Sequence, residues 1–136
     1  MMYGLETSAM TARQARELEV SETKMLRWSL GWTRKDKIRN EKIRDLTGVE
    51  AITAKTREQR LRWFGHVKRR KEEYVGRRVL EMEIEGRRAR GRQKTRWKDT
   101  IARDMKELGL EEEDVMDRNL WRCAIHGSDP VHNGKS

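Results

Sequence analysis

Apolar residues along the chain recur mostly at three- and four-residue spacing, and that spacing predicts a series of short amphipathic helices. Ala15, Leu18, Met25, Leu26, Trp28 and Leu30 mark the first, over residues 12 to about 30, with Thr11 and Gln14 in capping-box register before it and Gly31 behind it. After a polar break at 33–37, Asp36 is a candidate N-cap for a second helix ending near Leu46, with Ile38, Ile43 and Leu46 inward and Gly48 as its stop. A third helix starts at Ala51 or Thr53 and centres on residues 60–71, Arg-Leu-Arg-Trp-Phe-Gly-His-Val-Lys-Arg-Arg-Lys. Leu61, Phe64 and Val67 form its apolar stripe, while cations crowd its flanks and last turn. Gly65 within it costs up to about 1 kcal/mol relative to Ala, which implies either the close approach of a neighbouring helix or a bend before His66.

Further on, Tyr74, Val75, Val79 and Leu80 suit another turn or two of helix. Residues 80–84 alternate apolar and acidic side chains, the period of a strand, but with no partner strand in view they read as extended or irregular. Gly86 and Gly91 bound a hinge, after which Trp97, Ile101, Met105 and Leu108 restore helical spacing as far as Gly109. The acids at 111–114 are placed to cap a last helix in which Val115, Leu120, Trp121 and Ile125 pack. The expected fold is all-α: a small bundle of about five short helices with a flexible basic hinge and a frayed C-terminal tail. Its expected parts are a helical region at 1–85, the hinge at 86–98, a helical pair at 99–126 and the tail at 127–136, together one structural unit.

Composition narrows what such helices can do. In 136 residues, 35% are apolar and 40% charged, so the core must be thin, although five Trp and seven Met show that there is material for one. A lone Cys123 leaves no internal disulfide and suits a reducing compartment, nucleus or cytoplasm, rather than secretion. Neither a signal-peptide core nor a run of about 20 apolar residues is present, so no membrane role is expected. The net charge of +9 favours a polyanionic partner.

Catalytic chemistry is not signalled. Cys123 and His126 form a lone Cys-x-x-His, too few ligands for structural zinc, and no metal site is expected. The acids from Glu111 to Asp117 read as a solvated helix start. No phosphate-cradling loop, dinucleotide fingerprint or metalloprotease motif occurs, and no Asp-Asp pair sits in a strand-like run to hold two metal ions. No catalytic residue, cofactor or small-molecule substrate is therefore assigned.

The positive signal is electrostatic. Arg87, Arg88, Arg90, Arg92, Lys94, Arg96 and Lys98 fall within twelve residues that contain no acid. With glycines for flexibility and Trp97 beside them, they match a segment that tracks phosphates, on RNA or DNA. Lys68, Arg69, Arg70 and Lys71 extend that surface if the third helix lies beside the hinge. Trp97, in register with Ile101 and Met105, reads first as a core anchor, and Trp63 and His66 read as packing residues before base contacts.

Several segments, in order, carry a resemblance: Tyr3-Gly-Leu-Glu-Thr, Met25-Leu-Arg-Trp, Arg34-Lys-Asp-Lys-Ile-Arg-Asn, Leu61-Arg-Trp-Phe-Gly-His-Val, Gly91-Arg-Gln-Lys-Thr-Arg-Trp and Asp117-Arg-Asn-Leu-Trp. Together they resemble the thumb and downstream region of endonuclease-reverse transcriptases from non-LTR (LINE-type) retrotransposons, especially the RTE group, over almost the whole chain. The resemblance implies a part that grips template RNA or the primer-template duplex, without the fingers, palm, endonuclease or metal-binding aspartates of the RNA-directed DNA polymerase. The chain departs from the family pattern at Ser8, where the family has Trp, and at Gln93, where it has Pro. The implied function is non-catalytic nucleic-acid binding. The alternative is a helical protein-interaction module, pairing with a polymerase core or a second copy, or a domesticated or decaying remnant without independent activity.

Overall fold

In a computed structural model the described residues are 4, 7–83, 86, 90–91 and 95–126. Among them the chain is all-α, with six α-helices, two short 3-10 turns and no strand. The helices are α1 (Ala12–Ser29), α2 (Asn40–Thr47), α3 (Ile52–Lys68), α4 (Val75–Glu81), α5 (Trp97–Leu108) and α6 (Arg118–Ile125). Two compact units result: Met10–Thr56, and Arg57–Ser136 with Met1–Ala9. The division between them falls inside α3.

In Met10–Thr56, α1 begins as its sequence predicts. The Thr11 N–H donates to Gln14 Oε1, and the Gln14 N–H returns to Thr11 Oγ1. Four of a helix's N–H groups have no intrahelical acceptor, so this reciprocal pair stabilises the end at which they lie. The second helix departs from expectation because Asp36 does not cap it. The Asp36 carboxylate instead accepts the Thr33 N–H at 2.6 Å, closing a 3-10 turn at Arg34–Asp36, and Lys37 follows in the left-handed region with φ 48°. Helix α2 therefore starts at Asn40 and ends on Gly48, whose φ of 63° fits the glycine stop.

Burial in this unit is slight. Ile43, Ile52 and Thr56 are buried, together with Glu22. The Glu22 carboxylate accepts the Ile52 N–H and pairs with Arg44 at 3.0 Å, and Thr53 donates to Glu19. Met25, Trp28 and Leu46 take up helical spacing yet remain exposed, Trp28 at 85%. With eight residues, α2 is too short to cover the apolar face of the eighteen-residue α1.

The unit Arg57–Ser136 has the larger core. Leu61, Phe64 and Val67 of α3 meet Leu80 of α4, Ile101 and Met105 of α5, Val115, and Trp121 and Ile125 of α6. Trp121 is buried to 1% exposure, and its Nε1 donates to the Leu61 carbonyl at 3.0 Å. Gly65 permits this, because a Cβ there would lie 2.5 Å from Trp121 Nε1. Of the two predicted explanations for Gly65, close approach is the one realised. Trp97 packs against the same core, its ring 6.3 Å from Phe64, as its register with Ile101 predicts.

The last helix is capped differently from expectation. Asp117, not the run at 111–114, accepts the Asn119 and Leu120 N–H groups. Asp114 is occupied in bonding back to the Glu111 N–H ahead of the 3-10 turn Glu113–Met116. Leu120, Val75 and Val79 are exposed rather than packed. Gly109 closes α5 with φ 66°, as predicted. The expected tail at 127–136 and Ile84 of the alternating stretch lie outside the described residues, and the two residues before Ile84, Met82 and Glu83, take no regular structure.

Candidate nucleic-acid interface

Of the cations predicted from sequence, Arg87, Arg88, Arg92 and Lys94 lie outside the described residues. Arg90, Arg96 and Lys98 are exposed. Gly86 and Gly91, at φ 118° and 117°, hold conformations that suit glycine and few other residues. The Arg96 backbone N–H donates to the Asp99 carboxylate at the start of α5, so this cation's backbone is fixed while its side chain is exposed.

The end of α3 divides into two pairs. Lys68 does not form part of a free cationic surface: its Nζ lies 3.8 Å from Glu81, 3.9 Å from Glu112 and 6.0 Å from the Phe64 ring centroid. Arg69 also turns inward, donating from Nη1 to the Val115 carbonyl at 2.8 Å. Burial, followed by the charge of Arg118, lowers the Arg69 pKa. Lys68 thus links α3 to Glu81 of α4 and to Glu112, and Arg69 links the end of α3 to the 3-10 turn Glu113–Met116. Arg70 and Lys71 are exposed, and no carboxylate of a described residue pairs with them. Arg60, one of the flanking cations, is buried and bidentate with Asp104, with Nη2 and Nε at 2.7 and 2.9 Å from the same oxygen.

Two grooves of similar size separate by charge. In the unit Arg57–Ser136 a groove of about 770 Å³ has a floor of Leu80, Ile101, Met105 and Leu110. Its rim alternates Lys68, Lys98 and Lys106 with Glu81, Asp99, Glu111 and Glu112, so the charges largely cancel. Arg77 donates a hydrogen bond to Glu81 and holds that carboxyl below its usual range, a sign that the rim is internally answered.

The other groove, about 850 Å³, lies between α1 and α2 in Met10–Thr56. Lys24, Arg27, Arg34, Lys37, Arg39 and Arg44 line it against only Glu19 and Glu41. Arg27 is a strut, donating from Nη2 to the Ile38 carbonyl and to Asn40 Oδ1. Arg44 is held by Glu22 and keeps one buried donor, Nη1, without a hydrogen-bond partner. Lys24, Arg34, Lys37 and Arg39 are exposed, and no carboxylate of a described residue pairs with them. Lys37 is the one described non-glycine residue with positive φ. A conformation that costs about 1–2 kcal/mol is held there by the Thr33–Asp36 turn, so the chain fixes a cation at the groove's mouth against its own preference.

No protein-family model, curated protein or solved structure matches the chain. The functional reading therefore rests on the groove's chemistry and on the residues themselves.

Sequence reasoning missed the groove although its signal was present. Residues 34–44 hold Arg34, Lys35, Lys37, Arg39, Lys42 and Arg44 against Asp36 and Glu41. Two acids broke the run, and reading Asp36 as a helix cap placed these cations around a helix instead of along a turn. Among the described residues no group of His, Cys, Asp and Glu could hold a metal ion. His126 is 3.1 Å from Glu58 through Nδ1, and Cys123 is exposed. No helix of the described residues is long and apolar enough to cross a membrane.

Proposed function

We propose that the chain is a non-catalytic nucleic-acid-binding protein, related to the thumb and downstream region of a non-LTR retrotransposon reverse transcriptase. The observation that carries this reading is the α1–α2 groove, whose lining includes four exposed cations, Lys24, Arg34, Lys37 and Arg39, that no carboxylate of a described residue pairs with. Such a surface repels itself until phosphates replace its counterions, and the released counterions supply the binding free energy. The groove is lined in part by Arg34, Lys37, Arg39 and Asn40, all within the Arg34-Lys-Asp-Lys-Ile-Arg-Asn segment that carries the family resemblance. The hinge cations Arg87, Arg88, Arg90, Arg92, Lys94, Arg96 and Lys98, with Arg70 and Lys71, belong to the same reading as further phosphate contacts. Lys68 and Arg69 do not, since their charges are used within the fold.

Phosphate contacts fix position without reading sequence, so binding is expected to be indifferent to base order. The direct test is the triple substitution Arg34→Ser, Lys37→Ser, Arg39→Ser, followed by fluorescence anisotropy with a labelled RNA. The expected result is a loss of at least tenfold in affinity for every sequence tried. Unaltered affinity at low salt removes the groove from the reading.

A second reading has its own support. Met25, Trp28, Leu46 and Val49 are exposed apolar side chains in Met10–Thr56, a composition suited to a protein partner. Sedimentation velocity over a range of concentrations distinguishes the two: a nucleic-acid-free oligomer that shifts no RNA favours protein interaction.

A further inference from the structure

Three aromatic rings gather where α3 leads into α4: Trp63 and His66 on α3, and Tyr74, which also packs against the core. Trp63 and His66, three residues apart, stack with centroids 5.6 Å apart and planes inclined by 21°. Tyr74, just before α4, meets His66 edge-on, 6.5 Å away at 88°. Trp63 is 37% exposed, while the core is made by its neighbours Leu61, Phe64 and Val67. The indole is partly covered, braced by His66, and keeps apolar surface in water.

The bracing extends to the loop between α3 and α4. The Tyr74 N–H donates to the Lys71 carbonyl, and Arg77 Nη1 donates to the Arg70 carbonyl at 2.9 Å. Gly76 leaves room for the Tyr74 ring, since a Cβ there would lie 2.7 Å from Tyr74 Cε1. The Arg70 guanidinium sits 5.7 Å from the centre of the Tyr74 ring. Lys71 is next to it, and no carboxylate of a described residue answers either cation.

We infer that Trp63, His66 and Tyr74 form a stacking platform for an unpaired base of single-stranded nucleic acid, with Arg70 and Lys71 on the adjoining phosphates. The inference rests on the nucleic-acid reading above and refines it to a form of ligand. A duplex hides its base faces in its own stack and offers the platform nothing. An unpaired base has a free face of any sequence, and aromatic and guanidinium planes accept it without hydrogen-bond readout. The two cations beside the rings favour a polyanion over an apolar peptide.

The test compares a labelled oligouridylate with a blunt duplex of equal length on the full chain, using Trp63→Leu, which keeps apolar bulk but has no ring, and Trp63→Phe. Trp63→Leu is expected to lower the ratio of single-strand to duplex affinity by about 5- to 150-fold, the range that one base stack supplies. Trp63→Phe recovers most of it. In the unaltered protein, oligouridylate quenches tryptophan fluorescence, and in Trp63→Phe that quenching is lost. An unchanged ratio with unchanged quenching overturns the platform, even where the α1–α2 groove variant has lost binding and the functional reading stands. If no nucleic acid binds the unaltered protein at low salt, the functional reading fails and the platform with it. If Trp63→Leu changes only self-association, the face is a protein contact and the inference is wrong.

Discussion

In Arg57–Ser136 nine apolar side chains, Trp121 among them, form one buried cluster, whereas in Met10–Thr56 only Ile43 and Ile52 of the apolar side chains are buried, alongside Glu22 and Thr56. The first unit gains its stability from area removed from water, at about 25 cal/mol per Å². The second is latched by polar contacts, Glu22 to Arg44 and Ile52, and Arg27 to Ile38 and Asn40. The difference extends to charge. Where the core is large, cations such as Arg60, Lys68 and Arg69 are drawn into it and answered internally. Where there is little core, Arg27 and Arg44 are held by the polar latches, but Lys24, Arg34, Lys37 and Arg39 are left on the surface of the groove they line.

The largest effects are expected where the core is densest. Trp121→Ala should cost about 3–5 kcal/mol in urea unfolding, through the loss of packing against Phe64 and of the hydrogen bond to Leu61. Arg60→Met alone strands the Asp104 carboxylate and should cost a similar 3–5 kcal/mol. The double change Arg60→Met with Asp104→Leu should return close to the starting stability, because desolvation offsets much of what a buried pair gains.

In Met10–Thr56 the comparable damage is smaller. Glu22→Ala leaves the Ile52 N–H and Arg44 without their acceptor and should cost about 1–3 kcal/mol. Amide hydrogen exchange sharpens the contrast: α1 and α2 should exchange faster than α3 beyond Arg57, α5 and α6, since less apolar packing opposes their opening. Equal protection in the two units would mean that the polar latches are as strong as the core.

A weaker effect comes from acid titration. Burial pushes the Asp104 carboxyl up, against the hydrogen bond and charge of Arg60. A raised folded-state pKa means that the folded chain holds the proton more tightly than the unfolded chain. This contribution is fully present below the ordinary value of 3.8 and is lost as pH rises through the raised value. Comparing urea midpoints across that window in the wild type and in Asp104→Asn should show a downward step with rising pH that the variant lacks. Smaller still is Lys37→Gly, which relieves the left-handed backbone at φ 48° but adds freedom to the unfolded chain. It should shift stability by less than about 1 kcal/mol while weakening RNA binding.

Much of the helical architecture was legible because its signals are local. Thr11 with Gln14, Gly48, Gly109, and the stripe Leu61, Phe64 and Val67 each declare an element within a few residues. Gly65 signalled either a close neighbour or a bend and could not name Trp121, 56 positions away along the chain. The destinations of cations were not legible for the same reason. Arg60, Lys68 and Arg69 look alike on paper to Arg70 and Lys71, and only partners distant in sequence, such as Asp104, Glu112 and Val115, separate them. The α1–α2 groove was hidden by Asp36 and Glu41, which break the run of cations, and by Asp36 fitting a helix cap as well as the turn it makes.

The dependence of RNA affinity on salt tests the account most directly. For the unaltered protein the logarithm of affinity should fall linearly with the logarithm of salt concentration. For the triple variant at Arg34, Lys37 and Arg39, the slope should be shallower by about 0.7 for each single-strand phosphate that is no longer neutralised, roughly 2 in all. A variant whose slope matches that of the unaltered protein would contradict the claim that these cations meet a phosphate backbone.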